Sequence, residues 1–175
     1  MIIKKKQASL LIKIILLLGI IGGIYSFLRT KNVEWQTYNN SAISFEYPSE
    51  WIAGEVKVYG SSNEIIFEDP HGKFNLYYIE RINYNQKTGK SYSSFIEYIK
   101  IPYLKPISHI NDYEVYQVLP RAGSEHINSA DFFSKDKPIL SLELDTLNKR
   151  EEDIKNGQVL FSHIINSFKF LKTHE

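Results

Sequence analysis

From residue 43 the chain alternates. Ile43, Phe45 and Tyr47 stand at every second position with Ser44 and Glu46 between them, so the three large apolar side chains share one face of an extended strand. Pro48 has no N–H to donate and biases Tyr47 away from helix, which stops that strand. Ser49 and Glu50 then turn the chain, and Trp51 is expected to pack its ring beneath the first hairpin. The same period-two pattern returns at Val56 and Val58, at Ile65 and Phe67, and at Phe74, Leu76 and Tyr78. Turn residues separate these runs, Gly60 to Asn63 and then Asp69, Pro70, His71 and Gly72, so the strands read as antiparallel hairpins. Further strands are predicted at 105–110, 113–120 and 131–133, and a clear one carries Leu140, Leu142 and Leu144.

Two segments change period. Tyr92, Phe95, Ile96 and Ile99 fall on one face of a helix that Pro102 should end. Near the C-terminus, Leu147, Ile154, Leu160, Phe161, Ile164, Ile165 and Phe168 form an amphipathic stripe. Gly157 weakens that helix by about 1 kcal/mol and marks the place where it would break. Phe168 and Phe170, either side of Lys169, restore period two as a short closing strand. The order of strands, helix, strands, helix and strand predicts an α+β class, a central antiparallel sheet flanked by helices.

The first thirty residues follow another rule. Lys4, Lys5 and Lys6 precede the 21 residues 8–28, which carry a single charge, Lys13. A helix of that length crosses a bilayer core, and thirteen Leu, Ile and Phe residues from Leu10 on outweigh one lysine that can snorkel. The rival is a cleaved secretory signal, since the charge-free stretch 14–28 has only 15 residues. No A-x-A pattern follows it, and cleavage after Ser26 would put Ile24 three positions back, so an uncleaved anchor is the expectation. Lysines before the span outnumber Arg29 and Lys31 after it, which points the N-terminus into the cytoplasm and the domain outside. The expected division is 1–30 cytoplasmic stub and transmembrane signal anchor, 31–41 linker and 42–175 extracytoplasmic domain. In the linker, Trp35 and Tyr38 are expected at the membrane surface or pairing at the sheet edge.

Setting the anchor aside changes the charge. From residue 33 on there are 15 Lys plus Arg against 20 Asp plus Glu, a net charge of −5, which disfavours nucleic-acid phosphates as partners. The chain has no cysteine, so neither disulfides, thiolate chemistry nor a lipoprotein-type attachment is available.

The aromatic strand reading SFEYPSEW, the run of hairpins and the end reading HIINSFKF together resemble the PsbP-like domain of bacterial membrane-anchored and lipoprotein-type proteins, related in fold to the PsbP subunit of photosystem II. The resemblance spans residues 35–171 in order of elements and implies an α/β/α sandwich, a central antiparallel sheet between helices. Its motifs are structural. The calcium and chloride retention associated with photosystem PsbP, and the small-GTPase binding of eukaryotic relatives, match no residues in this chain, and a lipobox cysteine is absent.

Candidate chemistry is sparse. His71 sits in a turn beside Asp69, His109 precedes Asp112 by three, His126 follows Glu125, His163 belongs to the polar side of the last helix, and His174 ends the chain. None has the close two-ligand spacing of a zinc site. Ser124, in AGSEH, lacks the strand-to-helix elbow of a hydrolase nucleophile, and no phosphate-binding glycine motif is present. Glu151 and Glu152 are adjacent at a helix start and diverge. The sequence therefore predicts no catalytic, cofactor or metal residues and a non-enzymatic binding or assembly role beside the membrane, the partner being another envelope protein. The alternatives are an envelope enzyme with a pocket from His109, Asp112 and His126, and a small-ligand carrier using Tyr77, Tyr78 and the stretch from Tyr113 to Tyr116.

Overall fold

Two antiparallel meanders meet edge to edge and make one large sheet. The structure, a computed structural model, describes residues 33–101, 104–118 and 123–171. The expected membrane segment, the end of the 113–120 strand and His174 lie outside the described residues, among which no helix is long and apolar enough to cross a membrane. The first meander contains β3 (Ile52–Ala53), β4 (Lys57–Tyr59), β5 (Ser62–Glu68) and β6 (Phe74–Arg81); the second contains β7 (Ser108–Ile110), β8 (Tyr113–Val118), β9 (Ile127–Phe133) and β10 (Ile139–Thr146). They join where β10 pairs with β6, giving eight strands in the order β3-β5-β6-β10-β9-β8-β7 with β4 also on β5. A three-stranded sheet has β2 (Ile43–Pro48) between β1 (Trp35–Asn39) and the closing β11 (Lys169–Phe170).

Strand parity divides the large sheet into two faces. Phe67, Leu76, Tyr78, Leu140, Leu142, Leu144, Ala130, Phe132 and Val115 point one way, and all are buried. They form the main core with Ile43, Phe45 and Tyr47 of β2 and with Phe161 and Ile164 of the C-terminal helix α2 (Glu151–Ser167). Aromatic contacts bind the layers: Phe45 meets Phe67 edge-on at 5.5 Å, and Phe168 stacks on Phe132 at 4.2 Å. Trp51 packs on Phe74 at 6.0 Å and is 4 % exposed. On the opposite face a short helix α1 (Phe95–Ile99) covers one corner, where Phe95, Tyr116, Phe133 and Ile139 form a second cluster. The class is thus α+β, mostly antiparallel sheet with two helices among the described residues, one on each face.

Several sequence expectations are corrected by packing. Within the segment 31–41, Trp35–Asn39 pairs along the whole of β2 at the edge of the small sheet, the second of the two places expected for Trp35 and Tyr38, and half-buried Trp35 stacks on His163 at 3.6 Å. Val56 and Val58 are exposed, since β4 overhangs the edge of the sheet, so their alternation marks no core face. The helix predicted from Ser91 shrinks to Phe95–Ile99 and ends at Lys100, whose left-handed backbone closes it two residues before Pro102. Leu147 stands outside α2 and is exposed. Gly157 does not break α2, which runs through it. A Cβ there would meet the Thr146 Oγ1 at 2.6 Å and the Phe74 ring at 3.3 Å, so the missing side chain is what lets the helix lie against β10.

Candidate functional site

Polar residues concentrate on the face that α1 leaves open. The register sets Ile79, Ser141, Asp131 and Tyr116 in one row across β6, β10, β9 and β8, with Tyr77, Glu143 and Ser129 in the next. Ile139 and Phe133 follow the Ser141–Asp131 row on its other side and anchor α1. The helix is capped by Ser94, whose hydroxyl accepts the Glu97 N–H, while the Glu97 carboxylate accepts both the N–H and the hydroxyl of Ser93. Those bonds hold the exposed Glu97 carboxyl below its usual range, the Ser93 backbone N–H contributing most. Buried Asn83 holds the loop that leads into α1. Its amide donates to the carbonyls of Ser134 and Lys135, and its oxygen accepts the Tyr92 N–H.

These supports frame a concavity of about 420 Å³, lined by Arg81, Ser129, Asp131, Ser141 and Glu143 with Tyr98 and Ile99 of α1 at its side. A chain of bonds crosses its floor. The Arg81 guanidinium donates to the Ser141 hydroxyl at 2.8 Å, and that hydroxyl donates to Asp131 Oδ1 at 2.5 Å. Burial pushes the Asp131 carboxyl up, opposed by the Ser141 bond and the Arg81 charge. Glu143 is also pushed up, by burial first and then by Asp145 and Asp131, with Glu64 adding to the repulsion. Four carboxylates therefore share this region with one guanidinium. The serine is engaged by an arginine and a carboxylate, so no histidine activates it as a nucleophile.

The structure separates the residues that the sequence offered as a pocket. Asp112 turns between β7 and β8 and is held by Lys137 at 2.8 Å, which keeps its exposed carboxyl below the usual range. His109 is exposed on the edge strand β7, opposite Glu114. His126 enters β9 at the other end of that strand pair, with its Nε2 3.8 Å from Asp145 Oδ1. The three are not brought together, because the antiparallel β8–β9 pairing places Asp112 and His126 at opposite ends of the strands. The tyrosines divide likewise: Tyr78 and Tyr113 enter the main core, whereas Tyr116 stacks on Phe95 at 4.2 Å under α1. Burial raises Tyr78, and raises Tyr113 to about 12. Ser124 lies in the turn before β9. Glu151 starts α2 and pairs with Lys155.

His163 bridges layers, meeting the Glu46 carboxylate at 2.7 Å while it stacks on Trp35. Glu50, Asp69 and His71 bring three ligand atoms within 4.8 Å of one another. Both Asp69 oxygens already accept backbone N–H groups, from His71 and Lys73, which is the turn-forming role of an aspartate. The concavity's residues were missed in the sequence because they occupy the polar positions of strands whose other face was plainly core. A run such as Ser141, Glu143 and Asp145 reads as a solvated face until the pairing of β10 with β6 and β9 makes it central.

No family model matches this chain, and no curated protein matches it. Among solved structures, a chain from Bacteroides thetaiotaomicron VPI-5482, whose crystal structure was determined at 1.50 Å resolution, is similar with a TM-score of 0.41 and 12 % identity. The similarity covers 76 % of this chain and 46 % of that one, so the match spans about half the length of the solved chain.

Proposed function

We propose that this chain is a non-catalytic binding domain, held outside the cell membrane by residues 1–30, that receives a basic side chain of an envelope protein partner on the open face of its large sheet. The observation that carries this reading is the concavity floored by Arg81, Ser141 and Asp131 and walled by Glu143. Asp131 and Glu143, both pushed up by burial and Glu143 also by its carboxylate neighbours, are poised to gain from a cation, which would lower both. Tyr98 and Ile99 supply an apolar side against which a lysine or arginine stem packs. The apolar and charged make-up of residues 1–31 supports the anchor. The ground for reading the domain as a PsbP-like sandwich is the sequence motifs SFEYPSEW and HIINSFKF.

The test is crosslinking in cells followed by pull-down from detergent extract, comparing wild type with Glu143→Lys, which places a cation where the partner's would sit. The expected result is a crosslinked species in wild type that the variant loses while staying folded. Recovery of monomer alone from wild type, or an unchanged crosslink in the variant, overturns the reading. The cavity's volume lies within the range of small-ligand sites. Thermal stabilisation by a small organic amine without any protein crosslink would therefore assign the same site to a ligand carrier.

A further inference from the structure

The second cavity lies on the other face of β9, between that strand, β8 and α2, and encloses about 200 Å³. Its polar lining is of one chemical kind: the carboxamides of Gln117, Asn128, Gln158 and Asn166 and the hydroxyl of Ser162, set against the ring of Phe161. No Asp, Glu, Lys, Arg or His borders it among the described residues. Asn128 is 7 % exposed, and its Nδ2 has no hydrogen-bond partner among the described residues. A buried amide left unpaired is costly, so Asn128, which borders the cleft, is the side chain that gains most when its amide turns to meet a ligand there.

We propose that this cleft binds a small neutral polyhydroxylated molecule, a monosaccharide. A charged ligand would be stripped of water with no opposite charge to meet it. A purely apolar one would strand five polar side chains. A carboxamide both donates and accepts, which matches hydroxyl groups that also do both, and the Phe161 ring offers an apolar wall to the C–H face of a sugar. The site is independent of the acidic concavity, from which the sheet separates it.

The test uses the full chain, purified in a detergent without a sugar headgroup. Methyl α-D-glucopyranoside, N-acetyl-D-glucosamine and D-ribose are titrated alongside the charged D-glucuronate and D-glucosamine. The side-chain NH₂ signal of Asn128 is followed by NMR and affinity by calorimetry. At least one neutral sugar should move that signal, and each charged sugar should bind about tenfold more weakly or worse. Asn128→Leu removes the unpaired donor and should bind at least about tenfold more weakly while melting no lower than wild type. Gln158→Ala, on the exposed side of α2, should weaken binding without touching the core. If none of the neutral sugars moves the Asn128 signal, the cleft holds water only and the proposal is overturned. Equal binding of charged and neutral sugars, or undiminished binding by Asn128→Leu, overturns it as well.

Discussion

Phe132 and Phe133 are neighbours in β9, both buried, and they serve different faces of one sheet. Phe132 belongs to a core that spans both sheets and α2; Phe133 belongs to a cluster of four buried residues under a five-residue helix. Apart from the uncharged cleft beside α2, the inner face is closed by aromatic stacking and is nearly free of charge. Its counterpart is closed only at a corner and leaves Asp131, Glu143 and Arg81 around a concavity. The difference teaches where stability and recognition divide in this domain: one side of each strand is committed to packing, and the other keeps the groups that packing would have excluded.

That division breaks first under truncation. Phe132→Ala should cost about 3–5 kcal/mol and unfold the domain cooperatively in urea. Phe133→Ala should cost less and free α1, read as hydrogen exchange accelerating at residues 95–99 while β2 and β10 stay protected. Equal losses at both positions would mean that the two clusters act as one core.

Next is the helix contact on the inner face. Gly157→Ala should destabilise by about 1–3 kcal/mol despite alanine's better helix propensity, because the new methyl meets the Thr146 hydroxyl. Adding Thr146→Ala removes the obstacle together with a buried hydroxyl that lacks a partner among the described residues, and should restore part of the loss in thermal melts.

The two faces also differ in how they answer pH. On the inner face, Tyr78 and Tyr113 are raised by burial, so their contribution to stability is full below the ordinary tyrosine value and is lost as pH rises through the raised ones. Tyrosinate absorbance of the buried residues should therefore appear only with loss of the fold, and the variant Tyr78→Phe should delay that loss. On the outer face, Asp131 and Glu143 are raised as carboxylates, so their contribution is present in acid and disappears as pH climbs through their elevated values. Wild type should lose stability from this pair as pH rises above the ordinary carboxylate range, and Asp131→Asn with Glu143→Gln should flatten the slope measured by urea unfolding. This is the smallest effect, since solvent screens a partly exposed pair.

The inner face was legible in the sequence, and the outer one was not. Ile65 with Phe67, Leu76 with Tyr78, and Leu140 with Leu142 and Leu144 each declare a buried side by alternation alone, and all of them joined one core. Alternation names a face but not its neighbours. Whether Ser141 faces water or an arginine depends on β10 lying beside β6, a pairing between residues about sixty positions apart. Local pattern also overstated what short edge strands bury, as at Val56 and Val58. It treated Gly157 as a weakness, because propensity records the helix and says nothing of the strand against it. Trp35 and Tyr38 showed no usable alternation, and their strand was decided by β2 rather than by themselves.

The three-stranded sheet sets an order of events for the chain as it is made. The backbone N–H of Glu46 finds its acceptor in Ser167, 121 positions later, and the strand carrying Ile43 and Phe45 is completed by Lys169–Phe170. Contacts so distant close slowly. Until α2 and the closing strand have emerged from the ribosome, the aromatic side of that early strand has Phe67 and Tyr78 against it but lacks Phe168, and a nascent chain halted before Ser167 leaves that part open to the first protein that meets it.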